Sequence, residues 1–138
     1  MENLRKIWFA AIAVLAFAPC QAQRETVILD GDGWTFRTDV DSTGWGIWQK
    51  GVPGGRTVHV PHTWNVESGT ERYFGLAWYE KSVEVPAAWK GKRVRLRFGA
   101  VYRDMVCYVN GEEVGRNIGS GFTPVSFDVT SLLRYGAD

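Results

Sequence analysis

The sequence predicts an all-β chain, an antiparallel β-sandwich whose expected form is a jelly roll. Three observations carry this. Nearly every patterned segment alternates apolar and polar residues at period two, as strands buried on one face require. Turn-forming clusters recur at roughly eight- to twelve-residue spacing, the rhythm of a sandwich. Sixteen Gly and a 14% aromatic content that includes seven Trp suit short strands joined by tight turns and do not suit a helical bundle. With 138 residues the chain can build one domain with a real core, not two.

In chain order, Thr26 to Leu29 and Trp34 to Thr38 read as strands joined by the turn Asp30-Gly31-Asp32-Gly33. An irregular stretch from Asp39 to Gly55 holds Trp45, Trp48 and Pro53. Arg56 to Val60 alternates again and stops at Pro61, which opens a long loop from His62 to Leu76. Ala77 to Val85 is a strand closed by Pro86. The Lys92 to Phe98 segment is the clearest strand: Val94, Leu96 and Phe98 face the core, and Arg93, Arg95 and Arg97 form a solvated face. Asp104 to Val109 and Glu112 to Gly115 flank Asn110-Gly111, the strongest hairpin signal in the chain. Thr123 to Val129 forms a further strand, bringing the expected total to about eight. Helix is confined to two single turns, Pro86 to Gly91 and a turn through Ser131 to Arg134 capped by Thr130.

The first residues stand apart. Arg5 and Lys6 precede an apolar run from Ile7 to Ala18, and Cys20-Gln21-Ala22 supplies small residues for cleavage. That layout is a secretory signal peptide, residues 1–22, and a dozen apolar residues are too few to span a bilayer. The mature domain, residues 23–138, is expected outside the cytoplasm, periplasmic or extracellular. Phe17 and Pro19 depart from what a lipid anchor at Cys20 wants, so anchoring is the lesser alternative. Cleavage leaves Cys107 alone, which excludes an internal disulfide and makes it a small buried hydrophobe.

A formal net charge of +1 without a basic run gives no electrostatic footprint for nucleic acid. No nucleotide fingerprint or activated hydroxyl nucleophile is present, so no cofactor is expected. His59 and His62, the two histidines, are split by Pro61 and lack a nearby ligand cluster, which favours structural hydrogen bonds over a metal. Glycoside cleavage needs two opposed carboxylates, about 5 Å apart for retention. The available pairs are Asp30 with Asp32, Asp39 with Asp41, Glu67 with Glu71, and Glu80 with Glu84. The first two pairs sit in turn-forming sequence, and Glu80 and Glu84 share one wet strand face. No catalytic residue is therefore expected. What remains is a set of loop aromatics, Trp45, Trp48, Trp64, Tyr73 and Phe74. Aromatic rings stack on the apolar faces of sugars while neighbouring His or Asn bind hydroxyls, and large loop aromatics equally plug the ends of a sandwich. Spacing alone leaves the two readings even.

Several segments in order resemble the N-terminal sugar-binding jelly roll of glycoside hydrolase family 2. They are Val60-Pro61-His62-Thr63-Trp64, Gly75 to Lys81, Val83 to Pro86, Gly91 to Val94, Leu96 to Val101, Val109 to Gly115, and Gly121 to Pro124 with Phe127 to Thr130. The resemblance implies a retaining β-glycosidase parent, β-galactosidase first, with β-glucuronidase and β-mannosidase as relatives. It implies that catalysis belongs to a TIM barrel reached through an immunoglobulin-like domain. It also makes carbohydrate the partner and the loop from His62 to Phe74 the place to seek substrate contacts, with His62, Trp64, Asn65 and Tyr73 as the candidates. Gly119-Ser120-Gly121-Phe122 is one residue longer than the family pattern, and the sequence ends at Gly136-Ala137-Asp138, where the family pattern runs into another strand. The sandwich is accordingly expected to be truncated at its C-terminus, with an open sheet edge. Two other readings stay open: a free-standing carbohydrate-binding module, and a domain that only props a barrel.

Overall fold

The computed structural model describes residues 24–136. Seven strands lie among them: β1 (Gly31–Asp39), β2 (Arg56–Val60), β3 (Leu76–Glu80), β4 (Arg95–Phe98), β5 (Met105–Val109), β6 (Glu112–Asn117) and β7 (Val125–Asp128). Every pairing is antiparallel: β2-β1-β3 form a three-stranded sheet, and β4 pairs with β7 and β5 with β6. The only helices among the described residues are single 3-10 turns. The all-β antiparallel sandwich that the alternation predicts is therefore the fold.

Strand pleat sends successive residues of β1 to opposite sides. On one side Phe36 lies between its partners Arg56 and Tyr79. On the other, Arg37 lies opposite Trp78, whose ring stacks on Tyr108 of β5 with centroids 6.0 Å apart and so joins the three-stranded sheet to the β5–β6 hairpin. The β4–β7 pair half-buries the face expected to lie inward. Leu96 faces Phe127, Phe98 meets Phe127 edge-on at 6.3 Å, and Arg93, Arg95 and Arg97 are exposed. The β5–β6 turn has Asn110 at φ 51° and Gly111 at φ 86°, both in the left-handed region that a two-residue hairpin demands. Cys107 is buried, and burial pushes its thiol up to about 11.

Four expectations need correction. Asp30 to Gly33 is not a turn: β1 begins at Gly31, and a bulge between Gly31 and Trp34 absorbs the positive φ of Gly33. Thr26 to Leu29 carries no strand. The strand from Ala77 stops at Glu80, so Glu84 does not share a strand face with it. Glu80 is half-buried and accepts the Val52 N–H at 2.9 Å, pinning the Asp39 to Gly55 segment to β3. Thr130 does not cap the last turn from outside; it is the turn's first residue. Its hydroxyl donates to Asp128 Oδ1 at 2.6 Å and accepts the Val94 N–H at 2.9 Å, so it ties β7 to the residue before β4.

Candidate functional site

The loop that links β2 to β3 folds back over the Phe36 side of the three-stranded sheet. Phe36 is 2% exposed and is its seat. The Trp64 ring stacks on Phe36 at 5.8 Å, and His62 meets it edge-on at 4.9 Å. Tyr79 closes the cluster from β3 at 5.0 Å, and the Arg56 guanidinium sits 4.8 Å over the ring. Pro61 ends the ladder of β2, and the chain then turns the next side chains, His62 and Trp64, onto this apolar face.

Polar atoms around the cluster are matched in pairs. His62 Nε2 lies 3.0 Å from Glu67 Oε1, and Nδ1 lies 2.6 Å from the Tyr79 hydroxyl. An ionised Glu67 only accepts, so Nε2 carries the proton; in the neutral ring Nδ1 then accepts from Tyr79. The bond from His62 holds the Glu67 carboxyl below its ordinary value; burial opposes this and Arg56, paired with the other oxygen, adds to it. Burial pushes the Tyr79 hydroxyl up to about 12, with the Glu67 charge adding to the effect. Tyr79 therefore stays protonated and available as a donor.

The remaining loop candidates hold the loop's own backbone. The Trp64 indole donates to the Tyr73 carbonyl at 2.9 Å. Asn65 Nδ2 faces the carbonyls of Thr70, Glu71 and Tyr73 at 3.3, 3.2 and 3.0 Å, sharing two hydrogens among three acceptors. Tyr73 donates to the Leu76 carbonyl at 2.6 Å, and burial raises its hydroxyl. Its ring crosses so close to Gly75 that a β-carbon there would lie 2.4 Å from the hydroxyl oxygen. The structure thus brings His62, Trp64, Asn65 and Tyr73 into one loop and uses their donors inside it. Toward solvent the loop presents Phe74, 88% exposed, together with Val66 and the exposed Asn65 side chain.

On the opposite side of the sheet, Asp39 is 2% exposed. It accepts the Trp78 indole N–H at 3.0 Å and the Gly44 N–H at 3.2 and 3.0 Å from its two oxygens. Burial alone would raise this carboxyl, but the bonds from Trp78, Gly44 and Thr43 together hold it below its ordinary value. A β-carbon on Gly44 would lie 2.4 Å from the Trp48 ring and 2.8 Å from Asp39 Oδ2, so the bond requires glycine there. Because the folded value is depressed, Asp39 contributes stability above the ordinary value of 3.8 and loses it as pH falls through the lower folded value. Urea midpoints measured from about pH 6 down to about pH 3 should therefore fall for the native chain and stay flatter for Asp39→Asn. Parallel curves would show that Asp39 is not the titrating group.

Three more of the carboxylates weighed for catalysis have structural partners. Asp32 lies 2.9 Å from His59 Nδ1, Glu71 accepts the Gly69 N–H at 2.8 Å, and Glu80 accepts from Val52. Among the described residues no group of three or more His, Cys, Asp or Glu is placed to hold a metal. Sequence reasoning missed the Arg56–Glu67–His62–Tyr79 network because its members come from two strands and a loop.

Comparison with known proteins supplies what this geometry lacks. Residues 28–138 match the family described as "Glycosyl hydrolases family 2, sugar binding domain". The chain is 33% identical over 119 residues to a β-glucuronidase of Bacteroides fragilis, covering 83% of this chain and 16% of that one. It is 42% identical over 66 residues to a β-galactosidase of Thermoanaerobacter pseudethanolicus, covering 48% and 9%. Among solved structures, a β-glucuronidase from Ruminococcus gnavus in complex with D-glucuronic acid superposes with a TM-score of 0.73 at 33% identity, over 79% of this chain and 19% of that one. The chain spans less than a fifth of the length of each of these relatives.

Proposed function

The chain belongs to the sugar-binding domains of glycosyl hydrolase family 2, and from that premise we propose that it serves as the non-catalytic N-terminal domain of an exported, retaining β-glycosidase. The observation that carries the reading is the family match over residues 28–138, on a sandwich in which Asp39, Glu67 and Glu80 are tied to structural partners. The reaction belongs to a TIM barrel of the parent, reached through an immunoglobulin-like segment, and the sandwich is a jelly roll. β-Glucuronides are the favoured substrate class, because the relative covering 83% of the chain and the solved structure covering 79% are both β-glucuronidases. A β-galactosidase parent is the second reading, supported by the 42% identical segment of the Thermoanaerobacter enzyme.

Residues 1–22, which lie outside the described residues, act in this reading as the export signal, and 23–138 form the domain. No helix among the described residues is long and apolar enough to cross a membrane. The loop from His62 to Phe74 faces the sugar, with His62, Trp64, Asn65 and Tyr73 setting its shape and Asn65 within reach of a hydroxyl. An assay of the purified chain on nitrophenyl β-glucuronide and β-galactoside is expected to give no turnover. Fusion of the same chain to a family 2 immunoglobulin-like segment and barrel is expected to restore activity, faster on the glucuronide. Turnover by the chain alone that survives purification would sink the proposal, and a faster galactosidase would select the second reading.

A further inference from the structure

Two loops at one end of the β4–β7 and β5–β6 pairs hold a pair of aromatic rings in the open. Tyr102, between β4 and β5, is 71% exposed, and Phe122, between β6 and β7, is 84% exposed. Their centroids are 5.5 Å apart and their planes inclined at 49°. The two loops that carry them are bonded to each other and within themselves. The Gly119 N–H donates to Asp104 Oδ1 at 2.6 Å, binding one loop to the other. Asn117 Nδ2 donates to the Ser120 carbonyl at 2.9 Å, and the Ser120 and Thr123 hydroxyls bond to each other. Gly121 is buried against the partner loop, where a β-carbon would lie 2.8 Å from the Tyr102 ring and 3.1 Å from its Cα. Only a glycine lets the two loops meet this closely.

We infer that Tyr102 and Phe122 form a stacking platform for a pyranose ring, a carbohydrate contact carried by other loops than the one between β2 and β3. Sugar C–H faces stack on aromatic faces, and a tilted ring pair held in place binds without the entropy cost of ordering the side chains. The rim suits hydroxyls: Arg103 and Asp104, exposed and 3.9 Å apart, flank Tyr102, and Ser120 and Thr123 flank Phe122. The size of the patch argues for a small ligand. Its apolar members are Tyr102, Phe122 and Ile118, whereas a stable protein interface needs about 800 Å² on each side. The inference rests on the reading above for the class of ligand alone; the position and the mode of contact come from these loops.

The test is a titration of the full chain with methyl β-glucuronide, methyl β-galactoside and galactotetraose, followed by saturation-transfer NMR and calorimetry. Binding on the order of 1 mM is expected, with saturation of the sugar's C–H protons. Tyr102→Ala and Phe122→Ala should each weaken it about tenfold, and Phe122→Trp should preserve it. Both rings are exposed, so thermal melting should be unchanged; if either alanine variant melts early, Phe122→Gln takes its place. Binding untouched by these changes overturns the platform and leaves the glycosidase reading standing. Absence of binding by the native chain also overturns it, while the fusion assay judges that reading separately. A concentration-dependent dimer in sedimentation, lost in Phe122→Ala, would show the rings to be a contact between copies and overturn the platform as well.

Discussion

Replacing Phe36 with alanine is expected to cost about 3–5 kcal/mol of stability, read as a shift in urea midpoint at unchanged slope. Phe36 is the most buried apolar side chain among the described residues, and four groups touch its ring: His62, Trp64, Tyr79 and the Arg56 guanidinium. The magnitude depends on whether the cavity can collapse. Here it cannot collapse readily. His62 is fixed between Tyr79 and Glu67, Trp64 is fixed by its bond to the Tyr73 carbonyl, and Tyr79 belongs to a strand. Phe36→Leu, which keeps most of the volume, should cost only about 1–2 kcal/mol. Losing its seat should also loosen the loop from His62 to Tyr73 before the sheet melts, visible as faster amide exchange confined to that loop. In an enzyme carrying this domain, Phe36→Ala is then expected to raise KM more than it lowers kcat if the loop shapes the sugar pocket. A lower melting temperature with KM unchanged would assign the loop a propping role only.

What the sequence made legible and what it hid divide along one physical line, the reach of the interaction. Arg56 to Val60 could be read because alternation and a terminating proline are both local, and β2 has those bounds. Asn110-Gly111 could be read because a two-residue hairpin needs positive φ at both positions and few residues supply it. Asp30 to Gly33 misled for the same reason in reverse. Gly and Asp serve a bulge as well as a turn, and the choice was made by the partner strand, where Gly31 pairs with Val60 and Trp34 with Val58. The loop aromatics were undecidable locally, since burial depends on which sheet face lies behind a ring. Trp48 and Trp64 turned out to plug opposite sides of β1, while Tyr102 and Phe122, which were not among the loop aromatics singled out, stand in solvent. Glu67 was weighed as half of a carboxylate pair; its partners are Arg56 and His62, neither of which sequence spacing could bring to it.

Trp78 is the position where loss of one side chain should separate packing from electrostatics. It lies on β3 opposite Arg37, with Trp45 at 6.5 Å, Trp48 at 6.1 Å and Tyr108 at 6.0 Å, and so bridges the two layers of the sandwich. Trp78→Ala is expected to cost about 3–5 kcal/mol, because it opens a cavity between layers that share few other large contacts and removes the indole donor to Asp39. Trp78→Phe keeps a ring against Tyr108 and loses the donor alone. Of the hydrogen bonds that lower the Asp39 carboxyl, the one from Trp78 is the largest, so its removal raises the folded value of that group. The stability that Asp39 loses as pH falls below 3.8 should then be smaller in Trp78→Phe, which gives a flatter acid profile than that of the native chain. At neutral pH the loss should be smaller than in the alanine variant. Urea unfolding of the native chain and both variants across the acid range checks this. A Phe variant whose pH profile parallels the native one would mean that the indole bond does not set the Asp39 carboxyl, leaving Trp78 with a packing role. Tyr108→Ala should cost less in the Trp78→Ala background than in the native chain, since its ring stacks on Trp78, and a double-mutant cycle measures that departure from additivity as the coupling.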